Sequence, residues 1–136
     1  MKPLLKAVLI ILAVVLLSQC ENDEPNPYVN IPDNNFLNAL IEQGVDTNGD
    51  GEISSAEAEA VIYLYVSYSD ISDLSGIEKF VNLDTLICNY NQLTTLDLSN
   101  NTALKRLECY GNRLTTLDLS NNTVLENLYL YDMPNI

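Results

Sequence analysis

The chain has 136 residues, which is room for one domain of ordinary size. It carries 6 Lys and Arg against 19 Asp and Glu, a formal net charge of −13, so it lacks the basic footprint of a nucleic-acid-binding protein and cannot bind anionic lipid by charge. It contains no His, which excludes Ser-His-Asp and Cys-His catalysis and most zinc sites.

Residues 1–20 have the pattern of an export signal. Lys2 and Lys6 precede an apolar run at residues 7–17. As a helix this run would span about 16 Å, against roughly 30 Å of hydrocarbon, so it is too short to cross a membrane. The sequence Leu-Ser-Gln-Cys at 17–20 resembles a bacterial lipobox, with Gln19 in place of the usual small residue. The resemblance implies a signal peptide at 1–19 and lipidation of Cys20. A simple secretory signal followed by an incidental cysteine is the alternative.

Residues 20–32 are predicted to be a tether. They contain an acidic cluster at 21–24 and three prolines, and they show no apolar periodicity. An acidic cluster directly after the cysteine resembles the export signal of surface-exposed lipoproteins of Gram-negative bacteria. That resemblance implies an outer-membrane lipoprotein that faces outward and contacts the membrane through its lipid anchor only.

Residues 46–57, DTNGDGEISSAE, match every position of the EF-hand loop pattern. Calcium takes six to eight oxygen ligands, and this spacing wraps oxygens around one point. Gly51 stands where the loop turns sharply, and Ile53 is expected to point into the core. Ca²⁺ is therefore the predicted cofactor. The predicted ligands are Asp46, Asn48, Asp50, the backbone carbonyl of Glu52, Ser54 and Glu57.

Helix signals flank this loop on both sides. Asp33 can cap a helix whose apolar residues lie on one stripe, and Ser54 with Glu57 forms a capping box for a second helix. Residues 33–61 are therefore predicted to form an EF-hand-like helix-loop-helix cap. The loop also resembles half of a dockerin module, which carries two loops. A single loop favours a structural calcium over a regulatory one.

The rest of the chain repeats with a period of 21. LDTLICNYNQLTTLDLSNNTA at 83–103 aligns with LKRLECYGNRLTTLDLSNNTV at 104–124, a looser copy covers 64–82, and an incomplete copy begins at Leu125. Such a period predicts a solenoid whose short strands pair in parallel. In the two full copies the Leu-x-Cys residues, Leu86 with Cys88 and Leu107 with Cys109, should point inward. Two asparagine ladders are expected at the bends, Asn91 with Asn112 and Asn101 with Asn122.

The motif LxxLxCxxNxLTxLDLSxNT resembles internalin-type leucine-rich repeats, in the 21-residue form with cysteine in place of a core leucine. The resemblance implies an α/β-type solenoid with a parallel β-sheet over residues 62–136, with about three repeats and the last one incomplete. It also implies recognition of a protein or glycan ligand. Cys88 and Cys109 should stack as buried reduced thiols; a disulfide and a zinc site are the less favoured alternatives.

Six of the eight tyrosines should cluster on the concave face of the sheet. Tyrosine offers a large contact area and a polar tip, as in many recognition surfaces. Aromatic residues that merely stabilise strands are the alternative interpretation. Ser67, Ile87 and Asn89 are also expected to point outward on this face. The predicted partner-binding residues are Tyr65, Tyr68, Tyr90, Glu108, Tyr110, Tyr129 and Tyr131.

The predicted function is non-enzymatic, because these residues supply no nucleophile–base pair and no open metal site. Asp97 and Asp118 stack in the repeat and are expected to lie on a solvated face. The last copy stops one strand into a repeat, at residues 125–136. This pattern leaves a second hypothesis open: a structural or assembly protein, or a truncated piece of a longer adhesin, whose C-terminal edge pairs with other chains.

Overall fold

The computed structural model describes residues 26–133. The predicted signal peptide, Cys20 and the first part of the predicted tether lie outside the described residues. Across residues 26–133, no helix combines the length and the apolar character needed to cross a bilayer.

Four short strands form one parallel sheet in the order β1-β2-β3-β4. They are β1 (Tyr63–Tyr65), β2 (Thr85–Ile87), β3 (Arg106–Glu108) and β4 (Asn127–Tyr129). Their register places Leu64, Leu86, Leu107 and Leu128 side by side, at spacings of 22, 21 and 21 residues. Each repeat is therefore one coil of the solenoid, as the sequence period predicts.

Leucines fill the interior of each coil because alternate residues of a strand point to opposite faces. Leu86 and Leu107 are fully buried, and so are Cys88 and Cys109 two residues further along. The LDLS segments close the other side of the coil, where Leu96 and Leu98 are buried. Burying an apolar side chain of this size contributes roughly 1.5–3 kcal/mol.

Two ladders of buried asparagines satisfy the backbone where the chain bends. The amide nitrogen of Asn91 donates to the carbonyls of Val66 (2.8 Å) and Cys88 (3.1 Å). Asn112 repeats this one coil later, donating to Cys88 (3.0 Å) and Cys109 (2.9 Å). In the second ladder Asn122 donates to the carbonyls of Leu98 and Asn101. Both predicted ladders are present.

Two short helices precede the sheet. Helix α1 (Asn34–Glu42) buries Phe36 and Leu40, and helix α2 (Ser55–Ala60) begins with the predicted capping box of Ser54 and Glu57. The ring of Phe36 packs against Phe80, at the end of a 3₁₀-helix (Ile77–Lys79), with 6.4 Å between centroids. The two helices therefore share one core with the first coil.

Asp33 joins this N-terminal part to the solenoid. One carboxylate oxygen accepts the N–H groups of Asn35 (2.8 Å) and Phe36 (3.2 Å), which caps α1. The other oxygen accepts the N–H and hydroxyl of Ser72, both at 2.8 Å, and the N–H of Asp73 at 3.0 Å. Because each oxygen serves one element, a single side chain fixes the helix against the first coil.

The joint at Asp33 can be tested by Asp33→Asn, because an amide has only one acceptor oxygen and can serve only one of the two elements. We expect the free energy of unfolding to fall by about 1 kcal/mol, and by about 2 kcal/mol in Asp33→Ala, as urea denaturation measures it. Asn38→Ala, on an exposed position of α1, is the control. Equal stability of Asp33→Asn and the wild type would contradict the joint.

The loss of stability in Asp33→Asn should depend on pH. Partial burial raises the pKa of Asp33, but hydrogen bonds from Ser72, Phe36 and Asp73 outweigh it and lower the pKa. A carboxyl whose pKa is depressed in the folded state contributes stability above its unfolded pKa of about 3.9 and loses it as the pH falls through the folded value. The difference between wild type and Asp33→Asn should therefore be present at neutral pH and shrink on acidification below about pH 4.

Candidate functional site

A continuous row of four tyrosine rings crosses the solenoid, one from each coil. Tyr68 stacks on Tyr90 (centroids 4.7 Å apart), Tyr90 meets Tyr110 edge-to-face (5.2 Å), and Tyr110 stacks on Tyr131 (4.2 Å). We call Tyr68, Tyr90, Tyr110 and Tyr131 the tyrosine row. Its two ends are the most open, because Tyr68 is 70% exposed and Tyr131 is 60% exposed.

The chain takes a left-handed turn at the same position of every coil, three residues after the last residue of each strand. That position holds Tyr68 (φ 56°), Tyr90 (φ 51°), Gly111 (φ 67°) and Asp132 (φ 62°). A left-handed conformation costs a non-glycine residue roughly 1–2 kcal/mol. Two tyrosines therefore occupy positions at which glycine would be favoured.

Gly111 makes room for the centre of the row. A Cβ at this position would lie 2.5 Å from Cδ1 of Tyr90, far inside van der Waals contact. The ring of Tyr90 therefore lies over Gly111 and reaches Tyr110. Because the left-handed position holds Gly111 in the third coil and Asp132 in the fourth, the third and fourth tyrosines come from the preceding position of their coils, Tyr110 and Tyr131.

A buried polar layer lies beside the row. Ser67 and Asn89, which were expected to point outward, are buried. The backbone N–H of Asn89 donates to the Ser67 hydroxyl (3.0 Å), and the Asn89 side chain donates to Glu108 (3.1 Å) and accepts from the N–H of Tyr110 (3.1 Å). These two side chains are buried because they are hydrogen-bonded to neighbouring coils.

The remaining predicted partner-binding residues lie on the strands themselves. Tyr65 on β1 and Tyr129 on β4 are exposed, and Glu108 on β3 pairs with Arg106. The Arg106 guanidinium lies over the Tyr129 ring, 5.3 Å from its centroid. The tyrosine row and these strand residues thus lie on one surface, in which Arg106 neutralises Glu108.

The phenol groups of Tyr68 and Tyr110 remain protonated at neutral pH. Partial desolvation by neighbouring groups raises the pKa of Tyr68, and a hydrogen bond with Tyr131 raises the pKa of Tyr110. Their hydroxyls are therefore hydrogen-bond donors under physiological conditions.

The acidic loop at 46–57 is organised by its own side chains. Asp46 accepts the N–H groups of Gly49 (2.7 Å) and Gly51 (2.9 Å), both of which have positive φ. Asn48 accepts the N–H of Asp50 (2.8 Å), and Asp50 accepts that of Glu52 (2.9 Å). These three oxygen-bearing side chains all turn back onto the loop backbone, and Ile53 is buried as expected.

Glu57 closes the loop differently. One carboxylate oxygen accepts the N–H and hydroxyl of Thr47, and the other accepts those of Ser54, at 2.7–2.9 Å. These bonds, led by the Ser54 N–H, lower the pKa of Glu57 to about 2. The donor set is all oxygen, which suits a hard cation. Within residues 26–133, however, no three His, Cys, Asp or Glu side chains converge as a metal cluster.

The other candidate chemistry does not assemble. Cys88 and Cys109 are free thiols, and burial raises the pKa of both, that of Cys109 to about 12. Neither is therefore poised as a thiolate nucleophile or metal ligand. Asp97 and Asp118 are exposed in a groove of about 550 Å³. Hydrogen bonds from Ser99 and Ser120 lower their pKa values, so neither is a general acid at neutral pH.

The C-terminal end of the solenoid is far less covered than the coils before it. Leu128 on β4 is 42% exposed, whereas its counterpart Leu107 on β3 is fully buried. Leu117 and Leu119 are half-buried, while Leu96 and Leu98 one coil earlier are buried. Among the described residues, β4 is therefore the edge strand of the sheet and lies beside partly exposed apolar side chains.

Sequence comparison relates the repeats to one group of proteins, although no protein-family model matches the chain. Internalin J of Listeria monocytogenes serotype 4b (strain F2365) is 43% identical over 75 residues, which is 52% of this chain. The repeats are homologous to the leucine-rich repeats of internalin J. This chain spans only 8% of that relative's length.

Solved structures agree with this homology. The functional domain of InlJ from Listeria monocytogenes, which includes a cysteine ladder, is 39% identical with a TM-score of 0.65; the match covers 71% of this chain and 21% of that one. The internalin InlF from Listeria monocytogenes is 29% identical with a TM-score of 0.68, and the match covers 75% of this chain and 31% of that one. A structure of CBM51-2 in complex with GlcNAc and INT domains from Clostridium perfringens ZmpB is 29% identical with a TM-score of 0.57. That match covers 67% of this chain and 19% of the other. The internalin-like leucine-rich-repeat fold is thereby established.

One residue at the loop was missed at the level of sequence. Tyr28, within the predicted tether, donates its hydroxyl to Asp50 at 3.2 Å, and its backbone bridges to Ser54. The single signal for it was an aromatic residue among prolines and asparagines, beside Val29. No local pattern connects it to a loop about twenty residues away.

The packing of the tyrosine row can be tested by Gly111→Ala. We expect it to lower the free energy of unfolding by about 2–3 kcal/mol, because the added Cβ both strains the left-handed turn and displaces the ring of Tyr90. Gly44→Ala is a matched control: Gly44 also has positive φ, but its Cβ would meet nothing within 4 Å. That control should cost about 1 kcal/mol.

Urea denaturation gives the stabilities, and near-ultraviolet circular dichroism reports the tyrosine environment. The dichroism should change in Gly111→Ala and stay unchanged in Gly44→Ala. Equal losses of stability with identical spectra would show that Tyr90 does not depend on Gly111.

Proposed function

We propose that the protein is a non-enzymatic binding module, anchored at the bacterial surface through Cys20, whose concave face recognises a protein or glycan ligand. The observation that carries the proposal is the tyrosine row, which runs unbroken across all four coils. Two of its members are held in left-handed conformations. Strained backbone conformations concentrate at functional sites, which favours recognition over simple strand stabilisation.

The composition of this face supports recognition in a second way. Tyr68, Tyr131, Tyr65 and Tyr129 keep large exposed areas, and tyrosine has few rotatable bonds to immobilise on binding. Their neighbours hold them in place before any ligand arrives, which lowers the entropic cost of binding. Homology to internalin J agrees with a binding role.

A structural calcium site in residues 46–57 is the second part of the proposal. Asp46, Asn48, Asp50, Ser54 and Glu57, with the carbonyl of Glu52, would hold the ion in the EF-hand pattern. The inward-turned carboxylates and the glycines at positive φ support it. Binding would require Glu57 to exchange its hydrogen bonds with Thr47 and Ser54 for the ion.

A different function, assembly with other chains, is favoured by one observation: Leu128 is exposed on β4, the edge strand of the described sheet. An unpaired strand edge beside apolar surface is a template for association. Under this second hypothesis the tyrosine row would be structural and the protein would form oligomers through β4.

The recognition face can be tested with the double variant Tyr110→Ser and Tyr129→Ser. We expect binding on a glycan array and an array of extracellular proteins to fall at least tenfold, since central aromatic residues carry much of the energy of an interface. The matched control is Asp97→Asn with Asp118→Asn, in the groove that contains none of these tyrosines.

Light scattering on the same samples separates the two hypotheses. Binding lost in the tyrosine variant, with unchanged mass, supports recognition. Undiminished binding would refute it, and a concentration-dependent mass abolished by Leu128→Glu would favour assembly through β4.

The calcium site can be tested by thermal unfolding in 2 mM Ca²⁺ and in excess EDTA. With a dissociation constant near 10⁻⁴ M, typical of extracellular sites, calcium should stabilise the folded state by about 2 kcal/mol, or roughly 5–10 °C. Glu57→Gln should abolish this shift while retaining the capping box. Glu59→Gln, at an exposed position of α2, should keep it. Identical melts in calcium and EDTA would refute the site.

A further inference from the structure

The loop at 46–57 is single, yet its backbone is paired. EF-hand loops present a short extended segment around their eighth residue, here Ile53, whose backbone needs a partner. In this protein the partner is the stretch 27–29. The N–H of Val29 donates to the carbonyl of Ile53 (2.7 Å), and the N–H of Ser55 donates to the carbonyl of Pro27 (2.8 Å). Tyr28 and Ser54 form the antiparallel bridge between them.

Apolar packing reinforces this pairing. Val29 and Ile53 are both buried and belong to the same core as the helices. A tether that only connected a lipid to the domain would have no reason to bury a valine or to satisfy a loop carbonyl. Residues 27–29 therefore form part of the loop's structure.

Tyr28 also reaches a predicted ligand directly. Its hydroxyl donates to Oδ2 of Asp50 at 3.2 Å, and the same oxygen accepts the amide of Asn48 at 2.8 Å. The other oxygen of Asp50 accepts the N–H of Glu52. Three donors thus orient this carboxylate, and Tyr28 is the one that comes from outside the loop.

We propose that residues 27–29 are the closing strand of the calcium site and that Tyr28 is a positioning residue that orients Asp50. This inference rests on the proposed calcium site. Groups that orient metal ligands raise affinity because they fix the ligand before the ion binds. By linkage, docking of the strand and binding of the ion strengthen each other by the same factor. Calcium would then hold the segment that leads in sequence to Cys20 against the domain.

Terbium luminescence provides a test, because Tb³⁺ is a hard ion that takes oxygen ligands and emits when a nearby phenol is excited. The chain has no Trp, so sensitised emission must come from tyrosine. The full chain in detergent is titrated with Tb³⁺ and then with Ca²⁺ as competitor. We expect emission from the wild type that Ca²⁺ displaces, and loss of most of it in Tyr28→Phe.

Calcium affinity, measured by isothermal titration calorimetry, separates positioning from mere proximity. Tyr28→Phe should weaken calcium binding roughly tenfold, the lower end of outer-shell effects, because Tyr28 is only half-buried. Tyr63→Phe removes an equivalent hydroxyl from an exposed position on β1 and should change neither emission nor affinity.

Hydrogen exchange reports the docking of the strand itself. Calcium should slow exchange of the Val29 and Ser55 amides in the wild type, and less so in Tyr28→Phe. An unchanged calcium affinity in Tyr28→Phe overturns the positioning role, and calcium-independent exchange at Val29 overturns the coupling. In both cases the calcium site stands. A wild type that binds neither Ca²⁺ nor Tb³⁺ refutes the calcium site itself, and this inference with it.

Discussion

The stacking of the first three coils depends on buried asparagine amides, each of which reaches two backbone carbonyls at once. Asn91 joins the first coil to the second and Asn112 joins the second to the third, and in both the side-chain oxygen also accepts backbone N–H groups. Without these amides the bends after β1, β2 and β3 would bury unpaired polar groups, at a cost of about 1–3 kcal/mol for each. Apolar residues drive the collapse, but the amides allow the chain to bend where it does.

The bend determines what the concave face can display. The chain turns shortly after each strand, and the residue three positions beyond the strand end has positive φ. That geometry directs Tyr68 and Tyr90 sideways along the stack, where each ring meets the next coil. The tyrosine row and the folding of the turn thus share the same few residues. The N-terminal helices add to this arrangement through Phe36 and Asp33, which hold the first coil in place.

Much of this architecture could be predicted from the sequence, because a repeat turns sequence spacing into spatial stacking. The inward leucines, the strand register and both asparagine ladders follow from aligning one copy under another. The repeat period does not show which side chains form hydrogen bonds between neighbouring coils, and so the burial of Ser67 and Asn89 was missed. Tyr28 was missed for a different reason: its partner Asp50 is distant in sequence, and no repeat or motif connects the two. The requirement for Gly111 emerges only when the ring of Tyr90 is placed above it.

The left-handed tyrosines have a consequence for how this molecule can change over time. Replacing Tyr68 or Tyr90 with glycine would relax the backbone, so a selection that rewarded heat resistance alone would drift toward glycine or asparagine at both positions. Each such step would remove a ring from the face. A tyrosine at the left-handed position therefore lowers stability but adds a ring to the surface. In any variant of this repeat, the residue at that position of each coil shows which of the two effects was favoured.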